Sequence, residues 1–281
     1  MLREQAKAKI NLDLHVLGKR ADGYHDLLSE VAFAELADVL EFSRADTITL
    51  HVDGEFADAS GSLGDNLVLK AANALNAYAG THHGASIRLT KNIPVGAGLG
   101  GGSADAAATL RGLNRLWKLN LPMAALEAIA LPLGADVPMC LHSVNLTAEG
   151  VGERLTVHQG RAGPVSVWLV IVFPRVQLAT VEVFRRYERD PLAPVPVGHV
   201  RPLFNDLEYT ARKLCPAIGE VLAALGTVAS SDEERHQPRM SGSGTSCFMM
   251  LRDESEARNV ARTLQQQHHY WWIQATRMGS I

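Results

Sequence analysis

The chain contains no Gly-Lys-Ser or Gly-Lys-Thr; Gly18-Lys19 is followed by Arg20. Without that pair the P-loop of nucleoside triphosphatases is excluded. Cysteine is scarce. Cys140, Cys215 and Cys247 are odd in number, scattered and set among apolar neighbours, which excludes a disulfide framework and points to buried thiols in a reducing cytoplasm. No apolar run approaches the length of a membrane-spanning helix, and Met1–Lys7 lacks the apolar core of a signal peptide, so a cytoplasmic protein is expected. Neither sign of charge is in surplus: 27 Lys and Arg against 30 Asp and Glu leave a formal net charge of −3. That balance argues against a nucleic-acid or membrane-surface partner. Eleven histidines invite a metal site. His82-His83 and His268-His269, however, are adjacent pairs whose side chains do not converge at ligand spacing, and solvated surface histidine is the simpler reading. Asn145-Leu146-Thr147 matches a glycosylation acceptor only by chance in the absence of a secretory signal. There is no internal repeat and no low-complexity tail.

What is present is an ordinary enzyme-like composition. With 281 residues, 47% of them apolar and 20% charged, the chain is long enough for a sizeable core and one or two domains. Ala8, Ile10, Leu12, Leu14 and Val16 alternate with Lys9, Asn11, Asp13 and His15, a period-2 strand with an apolar and a polar face. Thr47–Val52 and Ala85–Leu89 read as further strands. Asp65 reads as the N-cap of a helix through Leu67, Ala71, Leu75 and Tyr78 that Gly80 ends. Ala124–Ala130 is helical. Composition changes around Gly150, Gly152, Gly160 and Gly163, and the apolar strand Val165–Phe173 opens a second domain. Pro191, Pro194 and Pro196 mark one loop and Ser230–Gln237 a polar one. Met240–Thr245 then leads into the apolar run Ser246–Leu251 and a helix with Ala257, Val260, Ala261 and Leu264 on one face. The order of elements predicts an α+β protein with a ferredoxin-like second half, divided into 1–160 and 161–281.

The densest signal is Pro94-Val95-Gly96-Ala97-Gly98-Leu99-Gly100-Gly101-Gly102-Ser103-Ala104, with Asp105-Ala106-Ala107 following. Glycine at five of seven successive positions clears side chains from a backbone that must approach something closely. Ala106, Leu110, Leu113 and Trp117 continue on one helical face. Bare N–H groups opening a helix form an anion site, because the helix dipole and the unpaired donors point the same way. The dinucleotide fingerprint can be laid on Gly96, Gly98 and Gly101. It should be followed about 20 residues on by an acid for the ribose, and Ala106 to Met123 contains none. A phosphate-binding loop is therefore expected, against the plainer reading of a glycine-rich packing turn.

Taken together these motifs resemble the GHMP small-molecule kinases. Pro94–Ala107 is similar to the family's P-x-x-x-G-L-G-S-S-A segment, and Gly242-Ser243-Gly244 within Met240–Thr245 to its C-terminal glycine motif. The match is best to members that phosphorylate an alcohol carried on a cytidine diphosphate. It rests on Ala8-Lys9-Ile10-Asn11-Leu12, Arg20-Ala21-Asp22-Gly23-Tyr24-His25, Gly64-Asp65-Asn66-Leu67, Leu133-Gly134-Ala135-Asp136-Val137-Pro138 and Glu149-Gly150-Val151-Gly152-Glu153. All lie in order between residues 8 and 251.

The resemblance implies a ribosomal protein S5 domain 2-like N-terminal domain that binds ATP, a ferredoxin-like C-terminal domain on the substrate side, and Mg²⁺ with the ATP. It implies Asp136 as general base with Lys9 as partner, the loop from Pro94 to Ala104 on the phosphates, and Asn66 and Lys91 bordering adenine or ribose. It also implies Asn11, Tyr24, His25, Thr180 and Phe184 on the cytidine-bearing alcohol. From spacing alone several alternatives stand. Asp136 is either a base or a helix N-cap, and Lys9 and Lys91 are either functional or solvated. Asn66 is either a ligand or an opening helical residue, and Tyr24 and Phe184 are either ring platforms or ordinary half-buried aromatics. The family's paired serines are replaced by Gly101-Gly102-Ser103, which leaves the metal ligands open, and His142–Leu146 lacks an expected glycine. A homoserine- or mevalonate-type kinase is the nearest rival. A nicotinamide-dependent dehydrogenase and a non-catalytic nucleotide-binding module complete the alternatives.

Overall fold

The structure, a computed structural model, describes residues 1–60, 65–158, 167–188, 204–228 and 236–279. Gly64, Gly160, Gly163, Val165, the loop of Pro191, Pro194 and Pro196, and 230–235 of the polar loop lie outside the described residues. The expected domain boundary at 160/161 lies there too.

The first half of the chain forms β1 (Leu2–Asn11), β2 (His15–Lys19), β3 (His25–Ala45), β4 (Ile48–Asp53), α1 (Leu67–Ala79), β5 (Gly84–Thr90), α2 (Gly101–Leu116), α3 (Met123–Ala130), α4 (Val137–His142), β6 (Leu146–Gly150) and β7 (Arg154–Val157). The second half adds β8 (Val167–Phe173), α5 (Thr180–Arg185), α6 (Glu208–Leu214), α7 (Ala217–Val228), β9 (Arg239–Met240), β10 (Cys247–Leu251), α8 (Glu254–Gln267) and β11 (Trp272–Met278). Two compact units result. One comprises 1–9, 36–95 and 100–144; the other comprises 10–35, 96–99 and 145–281. They interleave along the chain, unlike the contiguous 1–160 and 161–281 expected from sequence. The physical reason is pairing: Leu27–Val31 of β3 pairs with β6, whereas Val39–Ala45 of the same strand pairs with β5.

In the first unit, β4 runs parallel to β5, and β5 pairs antiparallel with β3. Ala85, Ile87 and Leu89 point inward while Ser86 and Arg88 are exposed. Helix α1 is capped by Asn66, whose side-chain oxygen accepts from Val68 N at 2.9 Å, and not by Asp65. Asp65 instead engages Lys70. Gly80 ends the helix in the left-handed region, as expected. Helix α2 buries Ala104, Ala106, Ala107, Ala108, Leu110 and Leu113; its small side chains let α1 and α4 pack closely. The expected strand from Ala8 to Val16 breaks after Asn11. Its polar face is not solvated: Lys9, Asn11, Asp13 and His15 are all buried. Strand β3 is rich in Ala, Leu and Glu, residues of better helical than strand propensity. Cross-strand partners on both edges override that preference.

In the second unit, β11-β8-β10-β9 form an antiparallel sheet with Val172 opposite both Cys247 and Ile273. With α7 and α8 this is a β-α-β-β-α-β arrangement with strand order 4-1-3-2, the expected ferredoxin-like topology. Val170, Val172, Cys247 and Met249 form one core with Ile218, Val221 and Leu225 of α7 and Ala257, Val260 and Leu264 of α8. All three cysteines are buried free thiols. No helix among the described residues is long and apolar enough to cross a membrane.

Gly112 shows how tightly α2 sits on β3. A Cβ there would fall 2.5 Å from Cε2 of the fully buried Phe42 ring. Gly112→Val is expected to destabilise the protein by about 1–3 kcal/mol through overpacking. The measurement is a lower urea midpoint with an unchanged m-value; an unchanged midpoint would show that the ring has room to move.

Candidate active site

Lys9 lies near the end of β1, with only 6% of its side chain exposed. A buried ammonium needs a partner, and its Nζ lies 3.2 Å from Oδ2 of Asp136. Asp136 occupies the N-cap position of α4, yet its side chain makes no capping bond. The carboxylate turns to Lys9 and stays 38% exposed, open to a ligand on its other side. One turn on, burial first and the Asp136 charge second push the Cys140 thiol well up, so it stays protonated and takes no part.

The glycine loop meets this pair at Gly100. Gly100 caps α2 from the left-handed region at φ 65°, and no side chain caps that helix. A Cβ on Gly100 would stand 3.2 Å from Lys9 Cε and 3.9 Å from Asp136 Oδ2. Glycine is thus required twice, for its backbone angle and for the approach. The N–H groups of Gly101, Gly102 and Ser103 open the helix without intrahelical acceptors, beside a positive charge. The arrangement suits an oxyanion held next to a carboxylate that can take a proton.

Lys91 is placed differently from the expectation that it borders adenine or ribose. Only 3% of its side chain is exposed, and Nζ pairs with Asp38 and, at 2.7 Å, with Asp105 in the first turns of α2. Asp38 Oδ1 also accepts from the backbone of Asn92 at 2.5 Å and Ile93 at 2.8 Å. The cluster ties the start of the loop to the helix beyond it. Burial opposes the Lys91 charge, but the two carboxylates outweigh burial and raise its pKa. Burial is also the main force that holds Asp105 well above the usual carboxylate range. Asn66, the cap of α1, likewise has its side-chain oxygen engaged by backbone.

In the second unit the front of the glycine loop packs backbone to backbone on the C-terminal glycine motif. A Cβ on Gly98 (φ 78°) would lie 2.6 Å from Ser241 O and 2.7 Å from Gly244 O. Ser246 N donates to Ala97 O at 3.0 Å. Asn205 Nδ2 donates to both Met240 O and Gly242 O, and Ser243 Oγ lies 2.8 Å from Thr180 Oγ1. Asn11 is buried, donating from N to Ser241 Oγ and from Nδ2 to Ser29 Oγ.

His25 stacks on Phe184 with ring centroids 5.4 Å apart and meets Tyr187 edge-on at 6.0 Å. Burial, with Lys19 adding, lowers the His25 pKa, which keeps the ring neutral near pH 7. Phe184 thus packs one face against the His25 ring. Tyr24 sits on the β2–β3 turn with 64% of its surface exposed, its N–H held by Asp22. Tyr187 and Asn205 carry no sequence signal, since neither belongs to a motif or a periodic face. Asp105 directly follows the glycine stretch, and an acid set among alanines was the available signal.

A two-unit α+β fold, an uncapped glycine loop and a lysine–aspartate pair against it define a phosphoryl-transfer protein of the small-molecule kinase type. The chain belongs to the GHMP kinases: the family's N terminal domain matches residues 66–143 and its C terminal domain residues 199–269. It is 45% identical to the 4-diphosphocytidyl-2-C-methyl-D-erythritol kinase of Paramagnetospirillum magneticum over 98% of both chains. It is 44% identical to that of Parvibaculum lavamentivorans, again over 98% of each. A crystal structure of 4-(cytidine 5'-diphospho)-2C-methyl-D-erythritol kinase superposes with a TM-score of 0.81 at 33% identity, covering 100% of both chains.

The Asp105 environment yields a test. Its raised pKa means that the folded state holds a proton the unfolded chain has released above the ordinary value of 3.8. The contribution is therefore full below that value and lost as pH rises toward the folded pKa. Asp105→Asn, which mimics the protonated acid, is expected to lose less stability than wild type over that rise. Parallel curves of thermal midpoint against pH would refute it.

Proposed function

We propose that this chain phosphorylates the C2 hydroxyl of 4-diphosphocytidyl-2-C-methyl-D-erythritol with ATP, a step in the non-mevalonate route to isoprenoid precursors. The observation that carries the chemistry is the Lys9–Asp136 pair with Gly100 against it. A tertiary alcohol is a weak nucleophile. Asp136 accepts its proton as the new O–P bond forms and the bond between the γ-phosphorus and the bridging oxygen breaks, leaving ADP. Lys9 holds the carboxylate in place and keeps a positive charge beside the transferred group. The loop from Pro94 to Ala104 holds phosphate through backbone N–H groups at the start of α2, which suits glycines at 101 and 102 where serines are usual. Ser103, in the first turn of α2, offers a hard oxygen donor of the kind Mg²⁺ prefers. Bound with the triphosphate, that ion would neutralise its charge.

Lys91 and Asn66 support the nucleotide side from beneath, by holding the loop and α1. On the alcohol side, His25 is the reader of the pyrimidine's polar edge, because a neutral imidazole both donates and accepts. Tyr24 is the exposed ring able to cover the base, with Phe184 holding His25. Thr180, Asn11 and Gly242-Ser243-Gly244 are assigned to the same cytidine-linked alcohol. ATP and Mg²⁺ as reactants, and a cytoplasmic setting for three reduced thiols, belong to the same proposal.

Asp136→Asn is expected to lower kcat by about 10²–10⁴ while ATP binding holds; wild-type turnover in that variant would sink the base assignment. Because the His25 pKa is lowered, KM for the cytidine-linked alcohol is expected to stay flat through the ordinary histidine value of 6.5 and to rise only below it. His25→Gln should abolish that rise without altering KM for ATP. A pH dependence common to both substrates would remove His25 from cytosine reading.

A further inference from the structure

Arg111 lies in the third turn of α2 with 19% of its side chain exposed, and its guanidinium is nearly all committed to the protein. Nη1 donates to the carbonyls of Cys140 at 2.8 Å and Leu141 at 3.2 Å. Nη2 donates to Gln5 O at 3.0 Å, and Nε to Glu4 Oε2 at 3.2 Å. The other Glu4 oxygen is taken by Arg115. Three elements therefore meet on one planar group: β1, which carries Lys9; α4, which carries Asp136; and α2, which the glycine loop opens.

The geometry fits a positioning task better than general glue. Helix α4 has only six residues, so its final carbonyls have no partners within the helix. Arg111 takes two of them, one turn beyond Asp136. On β1, Gln5 stands four residues before Lys9, on the same face of the strand. A shift of α4 along its axis, or of β1 along the sheet, alters the 3.2 Å separation of Lys9 and Asp136. The fork of fixed donors opposes both shifts at once, which a lysine's single ammonium does not.

We propose that Arg111 is a positioning residue for phosphoryl transfer, acting through the Lys9–Asp136 pair without touching substrate. This rests on the assignment of Asp136 as base. The test uses the full-length enzyme with ATP and the cytidine-linked alcohol, after circular dichroism has shown each variant folded. Arg111→Lys is expected to lower kcat about 10–100-fold with both KM values within about twofold of wild type. Arg111→Ala should lose more and regain part of it when guanidinium ion is added; if that variant does not fold, Arg111→Lys still decides.

The double variant separates positioning from mere stability. Arg111→Lys added to Asp136→Asn is expected to slow the enzyme no further, since a residue acting through Asp136 then has nothing to position. Additive losses in the double variant would overturn the inference, as would a folded Arg111→Lys with kcat within twofold of wild type. An Asp136→Asn enzyme with wild-type turnover would overturn the base assignment itself, a distinct result.

Discussion

A lysine ammonium almost wholly withdrawn from water is tolerable only with a carboxylate beside it, and in this protein that carboxylate cannot be fully buried if it is to react. Lys9 and Asp136 resolve the conflict asymmetrically, with 6% of the lysine side chain exposed and 38% of the aspartate's. Much of the first unit follows from that compromise. Gly100 must be glycine so that the glycine loop can approach the lysine stem. Helix α4 must start at Asp136 without using its carboxylate as a cap, and both elements must be fixed to β1.

Fixation is achieved by buried polar groups rather than by apolar packing alone. Arg111 joins β1, α2 and α4 through four hydrogen bonds. Lys91, Asp38 and Asp105 do the equivalent for the two ends of the glycine loop. Such clusters are poor sources of net stability, because desolvation offsets most of the attraction. Directional contacts nevertheless specify distances that close-packed alanines and leucines do not, and phosphoryl transfer depends mainly on position and charge.

The second unit solves a different problem on a ferredoxin-like sheet. Two glycine segments, 96–99 and 241–244, lie against each other, and Asn205 and Thr180 hold the second. Phe184 and Tyr187 hold the His25 imidazole in place by stacked and edge-on contacts. Burial lowers the His25 pKa, so the same packing that orients the ring also favours its neutral form.

Local pattern made much of this legible. Helical spacing placed α1, α2 and α8; the apolar run 246–251 became β10; and the glycine density marked the loop. These features depend on short-range periodicity and backbone chemistry, which the sequence carries in full. Strand β3 was hidden because Ala, Leu and Glu favour helix until neighbours on both edges pair with them. The alternation of Lys9, Asn11, Asp13 and His15 with apolar residues marked a polar face, and only long-range contacts reveal that this face is buried. That the Asp136 side chain forgoes the cap for Lys9, and that Lys91 is withdrawn from solvent between Asp38 and Asp105, emerged only from distances between remote segments. Sequence by itself therefore determined which residue types were available and where the chain had to turn. Tertiary structure alone decided which charges lost their water and found each other, because pairing and desolvation arise between segments far apart in the chain.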